Sequence, residues 1–456
     1  MSATGGLPAD PQVSEVAPAS HLIPVPTKRA TKKWIFNFTL AYVGVNIAWA
    51  GPGQVLMAPL VERLSKASAW GIFSNIKEDN LAVIGVITGI AALIATPLFG
   101  ALSDRTTSRF GRRTPWMFGG TIVVAFAMVS AGFSKSLLAF LLSWIVFSVA
   151  LNAVITPVSA AIPDHVPVEQ RGVVSGWYGF AYTFAVVIGT GLGTLAIALW
   201  PGDWGITMGY IICAAAAVLG MVPMLANRWE TPLPKSAKQV FPPFRLKEFL
   251  ACYWIDVRKF PDFGWAWLTR FLVTLSTSIS LFYLYYYLQD EIGLVRDDAA
   301  ASAVGMRVST GVLLLTTVYA FAVFATVVVS GMLSDRVGKR KIFVSVASVF
   351  IGIATLLIAF APSFPVVIVG ALILGLGTGV FTAVDFALVS EVLPTTEDNG
   401  KDIGIIGLAI SLPNILAPIV AAFMVSSMGG YVGLYLVAGA IAVLGGVLVY
   451  KIKGAS

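Results

Sequence analysis

The sequence is poor in the residues that most chemistry needs. Its 456 residues include two cysteines and two histidines. Cys213 lies in an apolar run and Cys252 in a polar one, so neither a disulfide framework nor a thiolate metal site can be assembled from them. His21 and His165 fall in a tail and a loop, which leaves no histidine metal centre. No cofactor and no metal are therefore expected. Charge is scarce as well: Asp, Glu, Lys and Arg make up 12% of the chain, about half the share in soluble domains. There is no Gly-x-x-x-x-Gly-Lys-Ser phosphate loop and no nucleophile–base constellation, which argues against an ATP-driven pump and against an enzyme. The first residues do not read as a signal peptide, since no basic segment leads into a short apolar core.

What is abundant is hydrocarbon. The chain is 57% hydrophobic with mean hydropathy +0.85. Its 44 glycines and 24 prolines suit membrane helices better than soluble ones. A membrane helix needs about 20 largely apolar residues. Such runs occur at 34–57, 81–103, 115–133, 137–160, 172–200, 205–226, 263–288, 308–333, 342–361, 364–392, 402–427 and 430–450. The expected fold is all-α and integral to the membrane, with twelve spans.

The net charge of +7 invites a nucleic-acid reading. The basic residues instead cluster in short loops between apolar runs, as the positive-inside rule describes. Alternate loops divide them 23 to 6, with Arg270 inside a span. This places both termini and the central loop in the cytoplasm of a multi-pass plasma-membrane protein. Residues 1–33 read as a disordered cytoplasmic tail rich in Pro, Ala and Ser. Residues 227–262 read as a linker. Its part from Phe244 to Phe260 mixes apolar and basic side chains, either as an interfacial helix or as a plain tether.

One polar turn stands out, Gly100-Ala-Leu-Ser-Asp104-Arg105-Thr-Thr-Ser-Arg109-Phe-Gly111-Arg112-Arg113-Thr-Pro115. A weaker copy is Gly331-Met-Leu-Ser-Asp335-Arg336-Val-Gly338-Lys339-Arg340-Lys341. The two aspartates are 231 residues apart, and Pro167 and Pro394, each closing a span, are 227 apart. A repeat of about half the chain length means two six-helix halves, 34–226 and 263–452, in the same orientation.

Twelve spans in two halves, with Gly-x-x-Ser-Asp-Arg after spans 2 and 8, resemble the major facilitator superfamily. The longer first turn is similar to that of glycoside–cation symporters and sucrose-type transporters. The resemblance implies that Asp104 faces the start of span 11 and Asp335 the start of span 5. It also implies that spans 1, 4, 7 and 10 line a central cavity. Asp104, Arg105, Arg112, Arg113, Asp335 and Arg336 are then gating candidates, with Arg112 and Arg113 able to pair with Asp164 and Glu169. The plainer reading is that the arginines only set topology. Melibiose-type carriers have acidic residues in span 2; here spans 1, 2, 3, 4 and 6 carry no charge, so no coupling site can be copied across.

Charge within a span is costly and points to function. Arg270 in span 7 and Asp385 in span 10 both lie about 10 Å from the cytoplasmic end, so they can pair. Asp385 is the candidate proton carrier; the alternative is a structural ion pair. Asn46, Trp49, Asn152, Thr277, Ser280 and Asn414 are the candidate solute-binding groups, although such side chains often bond their own helix. Tyr283, Tyr285, Tyr286 and Tyr287 approach the outer membrane interface. Gly51-Pro52-Gly53 can interrupt span 1. The expected function is secondary transport of a small polar solute, a sugar or glycoside favoured, by alternating access with a coupled cation, the proton favoured. The expected partners are that solute, the cation and lipid; the chain is expected to be a monomer with no nucleic-acid partner. Drug or metabolite efflux is the alternative transport activity. A transporter-derived sensor or scaffold is the alternative of another class.

Overall fold

The computed structural model describes residues 26–66, 71–200, 202–227, 229–230, 232, 260–298, 304–391 and 399–453, without the side chains of 335, 386–387, 390–391 and 399–405. Most of the tail expected to be disordered, the proposed interfacial helix and the Asp335 carboxylate thus lie outside the described residues.

The apolar runs become helices because a backbone in lipid must satisfy its own hydrogen bonds. The first half comprises α1 (Lys32–Gly51), α2 (Met57–Ser65), α3 (Lys77–Arg105), α4 (Thr114–Gly132), α5 (Leu137–His165), α6 (Val168–Leu199) and α7 (Asp203–Ala226). The second comprises α8 (Pro261–Phe282), α9 (Leu284–Asp290), α10 (Val308–Val337), α11 (Arg340–Ala359), α12 (Phe364–Glu391), α13 (Asn399–Ser427) and α14 (Gly430–Leu448). Ten of these are each long and apolar enough to cross a membrane, and the pair α8–α9, bent by 43°, makes an eleventh. The α1–α2 rod takes the same packing place in its half and completes the twelve.

Several helices run past the apolar segment that marked them. A charge does not end a helix; a backbone change does. α3 reaches Arg105, with Glu78 and Asp79 in its first turn, each charge placed to suit the helix dipole. α5 includes Asp164 and His165, so His165 is helical and not in a loop; Val166 turns extended ahead of Pro167. α10 ends on Gly338 at φ +67°, the left-handed cap that glycine permits. Span 1 is interrupted where expected. Pro52–Leu56 form a π turn, and the Met57 N–H bonds the Pro52 carbonyl. Gly51 is required there: a Cβ would stand 2.5 Å from Cys213 Sγ and 2.9 Å from the Gly189 carbonyl.

The two halves pack by one plan. α1 lies against α6 and α7, as α8 lies against α13 and α14. α5 packs on α3 and α4, as α12 packs on α10 and α11. The halves meet along α3–α13 and α6–α10. Helix direction alternates, so one end of the bundle carries the basic turns and the other the 66–77 and 291–307 connections. These are called the basic end and the far end below.

Candidate functional site

At the basic end the signature turn folds onto its own half. Arg112 and Arg113 are buried at 6% and 4% exposure, so their charges need partners. Arg112 Nη2 meets Asp164 Oδ1 at 2.5 Å, and Arg113 reaches Asp164 at 3.1 Å and Asp104 at 2.5 Å. Arg113 Nη1 also donates to Ser103 Oγ. These groups come from α3, the turn and α5. The arginines therefore pair with Asp164, as the sequence suggested, but share it with Asp104 rather than with Glu169. Their planar forks suit two-point contacts with carboxylates. Arg105 also has a partner. Arg336 stands exposed at the end of α10.

A further carboxylate completes this clamp. Glu230, just beyond α7, accepts from the backbone N–H of Arg113 at 2.8 Å and of Thr114 at 3.0 Å, and from the Thr114 hydroxyl. It caps the N-terminus of α4, where orphan N–H groups and the helix dipole both favour an anion. Gly111, at φ +106°, leaves room for it. Nothing local in the sequence marks Glu230, which lies 117 residues from Arg113.

The far end is different in kind: its contacts cross between the halves. Lys77 of α3 binds both carboxylate oxygens of Asp290 at 2.8 and 2.6 Å. Its ammonium also lies 4.6 Å from the centre of the Tyr286 ring, a cation–π distance. Tyr431 donates within reach of Glu78 and Asp290 at 3.2 and 3.0 Å. Glu62 of α2 accepts from Gln289 at 3.0 Å and pairs with Arg296 at 2.7 Å. Tyr283 donates to the Glu78 carbonyl at 2.6 Å, and Tyr286 to the Ala58 carbonyl at 2.9 Å. Tyr283, Tyr285, Tyr286 and Tyr287 are all buried. They do not sit at the lipid interface: each hydroxyl has a protein partner that holds it inside. In the 291–307 connection, Asp297 accepts from Tyr285 at 2.7 Å and from Ser309 Oγ at 2.7 Å. Burial raises its carboxyl above the usual range against those bonds.

Between the two ends lies a cavity of about 160 Å³ that takes residues from both halves. Trp49, Gln54 and Tyr182 face Ser280, Thr316 and Tyr319 across it. Two of the candidate solute-binding groups, Trp49 and Ser280, are therefore brought together. The others are placed apart. Asn46 is buried and donates to the Tyr42 carbonyl of its own helix. Asn152 joins α5 to α3 by accepting from Thr96 at 2.8 Å. Thr277 donates to the Val273 carbonyl, and exposed Asn414 accepts from Ser278 at 2.9 Å.

Arg270 and Asp385 meet across α8 and α12 at 3.0 Å. Both are nearly buried, among Phe263, Val273, Val384 and Leu388. Arg270 Nη1 lies within ion-pair distance yet off the line of a hydrogen bond. Such a pair is held by charge and packing more than by a fitted fork.

The profile of the Major Facilitator Superfamily matches residues 35–313 and 299–454. The chain belongs to that superfamily. The sucrose transport protein SUC4 of Arabidopsis thaliana is 23% identical over 204 residues, 41% of this chain and 37% of its own. The general alpha-glucoside permease of Schizosaccharomyces pombe is 22% identical over 288 residues, 55% of this chain and 49% of its own. An uncharacterised transporter of Bacillus subtilis, YfiU, is 32% identical over 128 residues, 28% of this chain and 24% of its own. The chain thus spans a quarter to a half of these relatives. Among solved structures, the nucleoside transporter NupG superposes with a TM-score of 0.68 at 12% identity, covering 92% of this chain and 99% of that one. The human organic anion transporter MFSD10 gives 0.61 at 17% identity, covering 92% and 99%. At these identities the structures speak for the twelve-helix superfamily fold alone.

Proposed function

We propose that this protein is a secondary transporter that carries a small polar solute by alternating access, a sugar or glycoside favoured. The observation that carries the reading is an asymmetry. Cross-half bonds close the far end, while α6 near the basic end stands exposed at Gly172, Gly176 and Gly179, where an added Cβ would meet nothing within 4 Å. A carrier caught with one gate closed and the other open has this form. The basic end faces the cytoplasm of the cell, in keeping with the 23-to-6 division of Lys and Arg. The two halves move as units about the cavity, and Trp49, Gln54, Ser280 and Thr316 recognise the solute. The relatives that transport sucrose and alpha-glucosides favour the sugar class.

Proton coupling runs through Asp385. When it is charged, Arg270 holds α8 to α12; when it is protonated, that attraction is lost. The test is uptake by the purified full chain in vesicles. Sucrose, maltose and methyl glucosides are offered with and without a pH gradient. The reading expects one of them to accumulate, with the gradient required. Asp385→Asn removes accumulation and spares exchange. Unchanged accumulation after collapse of proton and sodium gradients rejects coupling, and wild-type accumulation by Asp385→Asn rejects the carrier.

A second reading, efflux of amphipathic solutes, draws on the cavity lining. Trp49, Tyr182 and Tyr319 outnumber its one amide, Gln54. Flux of amphipathic anions with no flux of any sugar in the same vesicles selects it. No flux of either class favours a sensor or scaffold.

A further inference from the structure

A groove on the outer face of the first half takes no part in the roles above. It lies between α3, α4 and α5 and holds about 600 Å³. Phe99, Trp116, Gly119, Val123, Val146 and Val149 line it. Its one hydroxyl is already engaged: Thr106 Oγ1 donates to the Leu102 carbonyl at 2.8 Å and accepts from Trp116 Nε1 at 2.8 Å. Such a lining receives hydrocarbon and rejects a sugar. The floor is open at Gly119, where an added Cβ would meet nothing within 4 Å. From Trp116 to Val123 the groove follows α4 for about 10 Å, starting at the basic end.

That end is capped by the signature turn, and the turn carries an outward charge. Arg112 and Arg113 are occupied by Asp104 and Asp164, and Glu230 by the backbone of α4. Arg109 is exposed, with its guanidinium 4.7 Å from the centre of the exposed Phe110 ring. A cation beside an apolar ring, in the turn between the groove residues Thr106 and Pro115, matches a molecule with an anionic head and a hydrocarbon tail. We propose that the groove and the turn form a site for one anionic phospholipid, its acyl chain against Gly119 and its phosphate on Arg109. The site needs only that the chain is embedded in a bilayer; it does not rest on the transport reading or on the identity of the solute. Because the clamp ties α3, α4 and α5 together, an occupant of their shared groove stabilises the first half.

The experiment is the melting temperature of the full chain in detergent with phosphatidylglycerol, phosphatidylcholine or inorganic phosphate added. A ligand that binds only the folded state raises melting by mass action. Wild type should bind phosphatidylglycerol about fivefold more tightly than phosphatidylcholine, the scale of a basic group near an anionic surface. Arg109→Gln should make the two lipids equal. Gly119→Leu should weaken both, because its side chain fills the floor. Val123→Trp fills the same groove from an exposed position and carries the test if the first filler fails to fold. Equal binding of the two lipids by wild type overturns the proposal. So does a preference that survives Arg109→Gln, or binding that neither filler weakens. Inorganic phosphate that reproduces the phosphatidylglycerol shift also overturns it, since the tail then has no part.

Discussion

The two ends of the bundle are built from similar side chains and used in opposite ways. At the basic end, Asp104, Arg112, Arg113, Asp164 and Glu230 join pieces of one half to each other. At the far end, Glu62, Lys77, Gln289, Asp290 and Arg296 join one half to the other. Bonds within a half tie α3, α4 and α5 into one body; bonds between halves tie α2 and α3 to α9. Under the proposed alternating access, the basic turn stiffens a moving half and the closed barrier stands at the far end.

That contrast can be broken most forcefully at Arg113. Arg113→Ala takes from Asp104 its 2.5 Å partner and leaves Asp164 with Arg112 alone. Arg113 is buried but Asp164 and Asp104 are 20% and 47% accessible, so the cost is about 2–3 kcal/mol, below that of breaking a fully buried pair, and melting in detergent should fall by several degrees. Arg113→Lys keeps the charge without the fork and should recover only part. Next in size is Glu230→Ala, which uncaps α4 at a cost of about 1–2 kcal/mol. It should lower melting and leave the far end as it is.

Lys77→Ala should behave in the reverse manner. The pair with Asp290 is partly exposed, with side chains 17% and 34% accessible, so its worth is about 0.5–1 kcal/mol. Melting should move little, while the far-end-open population rises about two- to fivefold, read by spin-label distances across that end. The exchange Lys77→Asp with Asp290→Lys should restore the closed population in part. The smallest effect on melting is expected from Asp104→Asn, whose carboxylate is 47% accessible; a change above about 1 kcal/mol would mean that Asp104 belongs to the buried core of the clamp.

Much of the fold is legible in the sequence because lipid is a strict solvent. It forces each apolar run to be a helix, and every one of the twelve segments reappears. Gly51-Pro52-Gly53 announces an interruption of span 1, because proline lacks the N–H that the regular ladder needs; that it takes the form of a π turn is seen only in the structure. The pairing of Arg270 with Asp385 follows from matched depth. The far-end contacts do not announce themselves. Lys77 and Asp290 are 213 residues apart, and nothing local fixes which residues of two repeated halves come face to face. The tyrosines from 283 to 287 suggest an interface to lipid by their chemistry; the bend at Tyr283 turns them into the protein instead. Asn46 and Thr277 have the right chemistry for a solute, but a side chain within reach of its own helix carbonyl bonds that first.

The most direct test of the account follows both ends at once. Spin labels at Ser74→Cys with Glu291→Cys report the far end, and at Ser108→Cys with Lys339→Cys the basic end. Both pairs are made in a Cys252→Ser background, with buried Cys213 retained. Alternating access predicts that Lys77→Ala lengthens the first distance and shortens the second in the same proportion of molecules. Two distances that stay fixed, or that lengthen together, would contradict it.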